Sequence, residues 1–293
     1  MNVTFYWTND ERRRMPCPQA VFAGLKAAGH TVREAIPRGV DATNLDWCDC
    51  GFIWNGRHGH RGIVAEKHRE ADKPLFIMER GFFDRMNHTQ IADGGFNHTA
   101  PWARTLDEPA PIEGKARFQA VHGEILPTKA RDDGYVLILG QTAGDSQLKD
   151  SEIHHPKLLI GAVEDALPRD VPVRFRPHPL YPWRGNEHVQ RDDGTLREAI
   201  DGARFAVTIN SNAGNEALAW GCPVLCLGPA LYAMAGAALQ TTLAKLGRRL
   251  ECMLGGWHPP QSLIENTLHH LACRQYGLDE LRRGERLRRI MEN

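Results

Sequence analysis

Three short stretches carry groups suited to holding a phosphate or moving a proton. They are Gly140-Gln141-Thr142-Ala143-Gly144-Asp145-Ser146, Pro177-His178-Pro179-Leu180-Tyr181-Pro182 and Asn210-Ser211-Asn212-Ala213-Gly214-Asn215-Glu216. A serine hydroxyl beside the backbone N–H groups of Asn212 and Ala213, at the start of a helix, suits an anion. Gly214 lets the backbone approach such a ligand. His178 can donate a hydrogen bond or a proton to the same anion, because imidazole titrates near neutral pH. Glu216, in the first helical turn, is placed to bind a ribose diol, and a glutamate there is equally a partner of the helix dipole. A well-capped βα turn at 210–214 and a turn histidine between two prolines at 178 are the simpler structural roles of the same residues.

Each stretch follows an apolar run, at 135–139, 171–176 and 205–209, short enough to be a strand inside a parallel sheet. Helical patterns at 157–166, 196–200 and 216–220 separate the runs, and Gly221 precedes another strand at 223–227. The first third shows the same alternation. Strands are expected at 3–7, 31–35, 50–54 and 74–78, with helices at 18–28 and 62–71. Residues 100–130 are rich in proline and lack a sustained period, which reads as surface loop and linker. An Arg-rich helix is expected at 278–291. The fold class is therefore α/β, with two Rossmann-like domains: 1–129, and 130–293 including the C-terminal helix. In such sheets ligands bind outside the carboxyl ends of the strands, where the three stretches lie.

Composition narrows the function classes. The 293 residues hold 36 basic and 36 acidic side chains, for a formal net charge of zero, so no global field attracts a polyanion. The seven cysteines are an odd, scattered set, as expected of reduced thiols in a cytoplasmic protein. Cys48-Asp49-Cys50 has no second pair at zinc-site spacing. Of the fourteen histidines, His154-His155 and His269-His270 are adjacent pairs that cannot easily share one ion, so no metal site is expected. No run approaches the roughly 20 apolar residues of a membrane span, and stable membrane insertion is not expected.

The loops resemble the donor half of a glycosyltransferase of the GT-B architecture, in which two Rossmann-like domains face a central cleft. More closely, they are similar to the capsule polysaccharide synthesis family of Kdo transferases. The family's GQ…D-S is matched by Gly140-Gln141…Asp145-Ser146, its HP by His178-Pro179, and its S…G…EA…G-PV by Ser211, Gly214, Glu216-Ala217, Gly221 and Pro223-Val224. In the first half, Trp54-Asn55-Gly56 resembles the family's W-G turn, and Met78-Glu79-Arg80-Gly81-Phe82-Phe83-Asp84-Arg85 resembles its E-D-G-F-L-R-S segment. The resemblance spans roughly residues 50–235.

It implies a donor site made of Gly140, Gln141, Asp145, His178, Pro179, Ser211, Asn212, Ala213, Gly214 and Glu216. It also implies a CMP- or UDP-linked sugar as co-substrate, a glycan or other hydroxyl acceptor, and no cofactor or metal. Glu79 is the candidate catalytic carboxylate, as base or nucleophile, with His178 as its counterpart on the leaving group. Arg80 stands where the family has Asp, so a mechanism relying on that Asp does not carry over, and the stereochemical outcome stays open. Arg57, Arg61, Arg80, Arg85 and Arg104 form a basic set that makes hydroxymethylated DNA bases a further acceptor class. A nucleotide-sugar 2-epimerase is a second enzyme class on this architecture, though Asn215-Glu216 supplies only one of its two paired acids. A non-catalytic nucleotide-binding protein is the third.

Overall fold

The computed structural model of the protein describes residues 1–9, 14–38, 42, 44–56, 59–129, 131–142, 144–181 and 189–292. In chain order its first strands are β1 Asn2–Tyr6, β2 Thr31–Ala35, β3 Cys50–Trp54, β4 Leu75–Arg80, β5 His88–Asp93 and β6 Tyr135–Leu139. There follow β7 Val173–Arg176, β8 Gln190–Arg191, β9 Ala203–Thr208, β10 Val224–Cys226, β11 Leu239–Gln240 and β12 Gln275–Gly277. The chain divides into two compact units, Met1–Thr105 with Leu271–Asn293, and Leu106–His270.

The first unit is built on a six-stranded sheet of order β12-β5-β4-β3-β1-β2. Strands β2, β1, β3 and β4 run parallel, β5 is antiparallel to β4, and β12 is antiparallel to β5. The central strands are buried on both faces, which explains their continuous apolar sequence. Val3, Phe5, Phe52 and Phe76 pack with Cys17, Ala20, Val21 and Leu25 of the helix Pro16–Ala27. Tyr6, Ile53 and Ile77 point the other way, toward Val64 of the helix His60–Glu70.

The second unit holds a sheet of order β11-β10-β9-β6-β7-β8, parallel throughout. From β6 the chain winds outward to β7 and β8, then returns to β9 beside β6 and winds the other way. The strand order therefore reverses between β6 and β9, where open sheets of this kind hold ligands beyond the carboxyl ends. Val136, Ile138, Phe175, Phe205 and Val207 pack with Leu159, Ile160 and Val163 of the helix Pro156–Ala166 and with Leu246, Leu250 and Met253. Both units are Rossmann-like α/β structures, as the alternation of elements predicts.

The units are drawn differently from the expected division after residue 129; residue 130 itself lies outside the described residues. The expected C-terminal helix of the second domain is two helices, Leu278–Arg282 and Glu285–Glu292, and both pack in the first unit. The reason is burial: Leu281 and Leu287 are each 0% exposed against the helix Pro16–Ala27. Gly24 in that helix makes room for them, since a Cβ there would lie 1.9 Å from the Leu281 carbonyl oxygen. The stretch expected to be loop at 100–130 contains the helix Gly114–His122, which buries Phe118. Strands β5 and β12 were also not expected. Their sequences, HTQIAD and QYG, are too polar or too short to show a period.

Candidate functional site

The carboxyl edge of the second sheet gathers the residues expected after β6, β7 and β9. Gln141 follows β6 and is buried, 5% exposed. Its side-chain amide donates to Asn210 Oδ1 at 2.8 Å, and its oxygen lies 3.4 Å from the Asn210 backbone N–H. Asn210 in turn donates to the Gln147 carbonyl at 2.8 Å. Gln141 is thus a brace across the reversal point, and Asn210, absent from the expected set, is its partner.

Asp145, expected to bind the donor, has contacts within its own loop. Oδ1 accepts the Gln147 N–H at 3.0 Å, capping the 3-10 helix Ser146–Asp150, and Oδ2 lies 3.4 Å from the Gln141 amide. A carboxylate so engaged orients Gln141 and caps the turn that follows. Gly140 sits where a Cβ would crowd the Arg176 carbonyl at 2.9 Å, so it serves the close passage of β6 past the β7 end.

After β7, the Leu180 N–H donates to His178 Nδ1 at 3.1 Å, and the Thr142 hydroxyl lies 3.2 Å from the same nitrogen. An Nδ1 that accepts places the proton of the neutral ring on Nε2. His178 is half-buried, and Pro179 is exposed. Thr142 is a second residue the expected set lacked. Its hydroxyl comes from the neighbouring loop, a pairing with no local sequence signal.

After β9, the helix spans Ala213–Ala219 and starts three residues earlier than expected. Ser211 is buried, 7% exposed. Its hydroxyl oxygen accepts the Ala213 N–H at 3.3 Å, and its carbonyl accepts the Gly214 N–H at 3.0 Å. Of the groups expected to meet a phosphate, the Ala213 N–H is therefore engaged within the turn, while the Ser211 hydroxyl keeps its proton to donate. Asn212 is the N-cap and accepts from the Asn215 side chain at 3.2 Å; Glu216 is half-buried in the first turn. Gly214 has a packing role as well. A Cβ there would lie 2.6 Å from the Tyr232 ring, whose hydroxyl donates to the Ser211 carbonyl at 3.0 Å. The glycine admits an aromatic ring, and the ring fixes Ser211.

Glu79 belongs to the first unit, at the carboxyl end of β4. Its Oε1 accepts the Arg80 N–H at 2.8 Å, and its Oε2 accepts the Asn55 side-chain amide at 3.2 Å. Asn55, just beyond β3, has φ +50°, a left-handed conformation that asparagine tolerates better than most residues. Arg80 contacts Met86 Sδ at 3.0 Å and Arg85 donates to the Gly81 carbonyl at 3.1 Å, so both guanidiniums lie against their own loop. Arg57 lies outside the described residues, as do His58, Ala143 and Pro182. Among the described residues no three His, Cys, Asp or Glu side chains converge to hold a metal ion, and no helix is long and apolar enough to cross a membrane.

Comparison with known proteins bears on this geometry. A family model described as capsule polysaccharide biosynthesis protein matches residues 181–251, which contain the Ser211 turn, β9 and β10. The chain resembles the capsule polysaccharide synthesis family. Among solved structures it is similar to the beta Kdo 2,7 transferase of Thermosulfurimonas dismutans KpsC, at 16% identity and TM-score 0.62, over 92% of this chain and 90% of that one. The beta Kdo 2,4 transferase of the same KpsC matches at 15% identity and TM-score 0.59, over 91% and 89%. At these identities the structures establish a shared fold. No curated protein matches the sequence. Within the capsule-family resemblance, the segment Met78–Arg85 carries a support the motif does not reveal: Gln275, on β12, bonds to the backbone of Phe82 and Phe83.

Proposed function

We propose that the protein transfers a sugar from a CMP- or UDP-linked donor to a hydroxyl acceptor such as a glycan. The observation that carries this reading is the placement of two side chains able to donate, His178 and Ser211, at the carboxyl edge of the second sheet, on the strand ends flanking Gln141. Breaking the bond between the anomeric carbon and the phosphate oxygen leaves negative charge on that oxygen. Preorganised donors stabilise a charge that grows in this way. The capsule-family match over residues 181–251, which include the Ser211 turn, supports this reading. Glu79, held by Asn55 and the Arg80 N–H, is the candidate carboxylate on the acceptor side, taking the hydroxyl proton or attacking the anomeric carbon itself.

The test is a thermal-shift series with CMP, UDP, GDP and ADP on the wild type, Ser211→Ala and His178→Ala. A ligand at about 100 times its Kd that binds only the native state adds roughly 2.7 kcal/mol. For a chain of this size that is a rise of several degrees, at about 2–4 °C per kcal/mol. One nucleotide stabilising the wild type but neither variant supports the reading. Four nucleotides without effect would remove its basis.

A further inference from the structure

We propose that Gln275 is a positioning residue for the candidate carboxylate Glu79, acting through the turn that leaves β4; the inference rests on the glycosyl-transfer reading above. Two glutamines, register partners on β5 and β12, hold that turn. Gln90 donates its amide to the Arg80 carbonyl at 3.0 Å and to Asn97 Oδ1 at 2.7 Å, and accepts the Asn97 N–H at 3.2 Å. Gln275 accepts the N–H groups of Phe82 and Phe83 on one oxygen, at 2.7 and 2.9 Å, and donates to the Phe83 carbonyl at 3.2 Å. It is 1% exposed and lies 193 residues from Phe82 in sequence.

A buried amide that spends three bonds on one turn fixes a backbone conformation, because each unmade bond would strand a buried polar group. Glu79 depends on that conformation. The Arg80 residue offers its N–H to the Glu79 carboxylate and its carbonyl to Gln90, and Gln275 packs against the next residue, Gly81, so a turn that shifts at Gly81–Phe83 pulls on the residue that holds the carboxylate. Gln275 bonds to the far end of the turn and acts through it.

The experiment uses the full chain and follows release of CMP or UDP from CMP- and UDP-linked sugars, with Gln275→Met, Gln275→Glu, Glu79→Gln and the Gln275→Met/Glu79→Gln pair. Rates are taken where circular dichroism shows each variant folded. Gln275→Met, which keeps shape and loses the polar atoms, is expected to lower kcat by roughly ten- to a hundred-fold, the scale of a misplacement near 1 Å. Donor KM should stay near the wild-type value, and in the Glu79→Gln background Gln275→Met should cause no further loss. Gln275→Glu supplies a rescue, since a protonated carboxyl reproduces both the acceptor and the donor of the amide. Its rate should approach the wild type at low pH and fall as the introduced carboxyl ionises and repels the Phe83 carbonyl, a dependence that a role in stability alone would not give to a folded enzyme.

Wild-type kcat in Gln275→Met, or losses that multiply with Glu79→Gln, overturns the inference alone. Should Gln275→Met not fold, a Gln275→Glu rate that shows no fall with pH beyond the wild type's overturns it. Full activity in Glu79→Gln removes the role of Glu79 and the inference with it. A wild type that releases neither nucleotide overturns the transfer reading beneath both.

Discussion

The side-chain amide of Gln141 meets Asn210 Oδ1 at 2.8 Å, joining the ends of β6 and β9 at the point where the strand order of the second sheet reverses. The contact is buried, and Asp145 and the Gln147 carbonyl hold its two ends from outside. A double-mutant cycle with Gln141→Ala and Asn210→Ala should return a coupling of about 0.5–3 kcal/mol in urea unfolding, as for buried side chains in one network. Additive losses would show that the two act independently.

Gly214→Ala should destabilise the second unit although it adds one methyl group. The new carbon would sit 2.6 Å from the Tyr232 ring, which is 2% exposed and has no open side to move into. Overpacking of this kind costs about 1–3 kcal/mol. Tyr232→Phe, which removes only the bond to the Ser211 carbonyl, should cost about 1 kcal/mol. Differential scanning calorimetry orders the two, and the prediction fails if alanine is the milder change.

Acid should weaken the fold in a window set by buried histidines. His68 is 1% exposed, its Nδ1 lies 3.2 Å from the Lys73 carbonyl, and its Nε2 lies 3.0 Å from the Tyr6 hydroxyl. In the neutral ring, Nδ1 donates to the carbonyl and Nε2 accepts from the Tyr6 hydroxyl. Burial holds its pKa below the ordinary value, and burial does the same at His122 and His269. The unfolded chain then binds protons before the folded one. Stability is complete above about pH 6.5 and is lost as pH falls through the lowered values, at no more than about 1.4 kcal/mol per pH unit for each group. Melting temperature measured from pH 7.5 to 5 should fall, and His68→Gln should flatten the slope.

Thiol reactivity should divide the seven cysteines into two classes. Cys17, Cys48, Cys50, Cys222 and Cys226 are buried, and Cys252 and Cys273 are partly exposed. Burial pushes the thiols of Cys50 and Cys222 up to about 12, so almost no thiolate exists there at neutral pH. A colorimetric disulfide reagent should titrate Cys252 and Cys273 in the native protein and all seven after denaturation. Rapid loss of more than these two would contradict the burial.

Much of the architecture was legible because its central strands are continuous apolar runs and its helices carry caps or glycine stops. Strands β2, β3 and β6 begin and end where the sequence pattern places them. The candidate donor loops were legible for a related reason, since small and polar residues directly after a buried strand stand out. What could not be seen locally is which of these residues face one another. Nothing near Asp145 in the sequence shows that it caps Gln147 and lies against the Gln141 amide. Nor does the sequence near Gly214 show that Tyr232, 18 residues on, fills the space a Cβ would take. Gln275 lies in a three-residue strand with no periodicity, and its role exists only through the Phe82–Phe83 turn. Side chains that act through another element leave no mark on their own neighbourhood.

The return of residues 275–292 to the first sheet orders events during synthesis. Leu106–His270 is one uninterrupted stretch, so the second unit has all its strands once they leave the ribosome. The first unit does not, because β5 lacks β12 and the helix Pro16–Ala27 lacks Leu281 and Leu287 until residues 275–287 emerge. Domains fold as units when their sequence is complete. The part of the chain translated first is therefore the part that finishes folding last, and nascent chains halted before residue 275 should protect the second unit from protease while leaving the first open to cleavage.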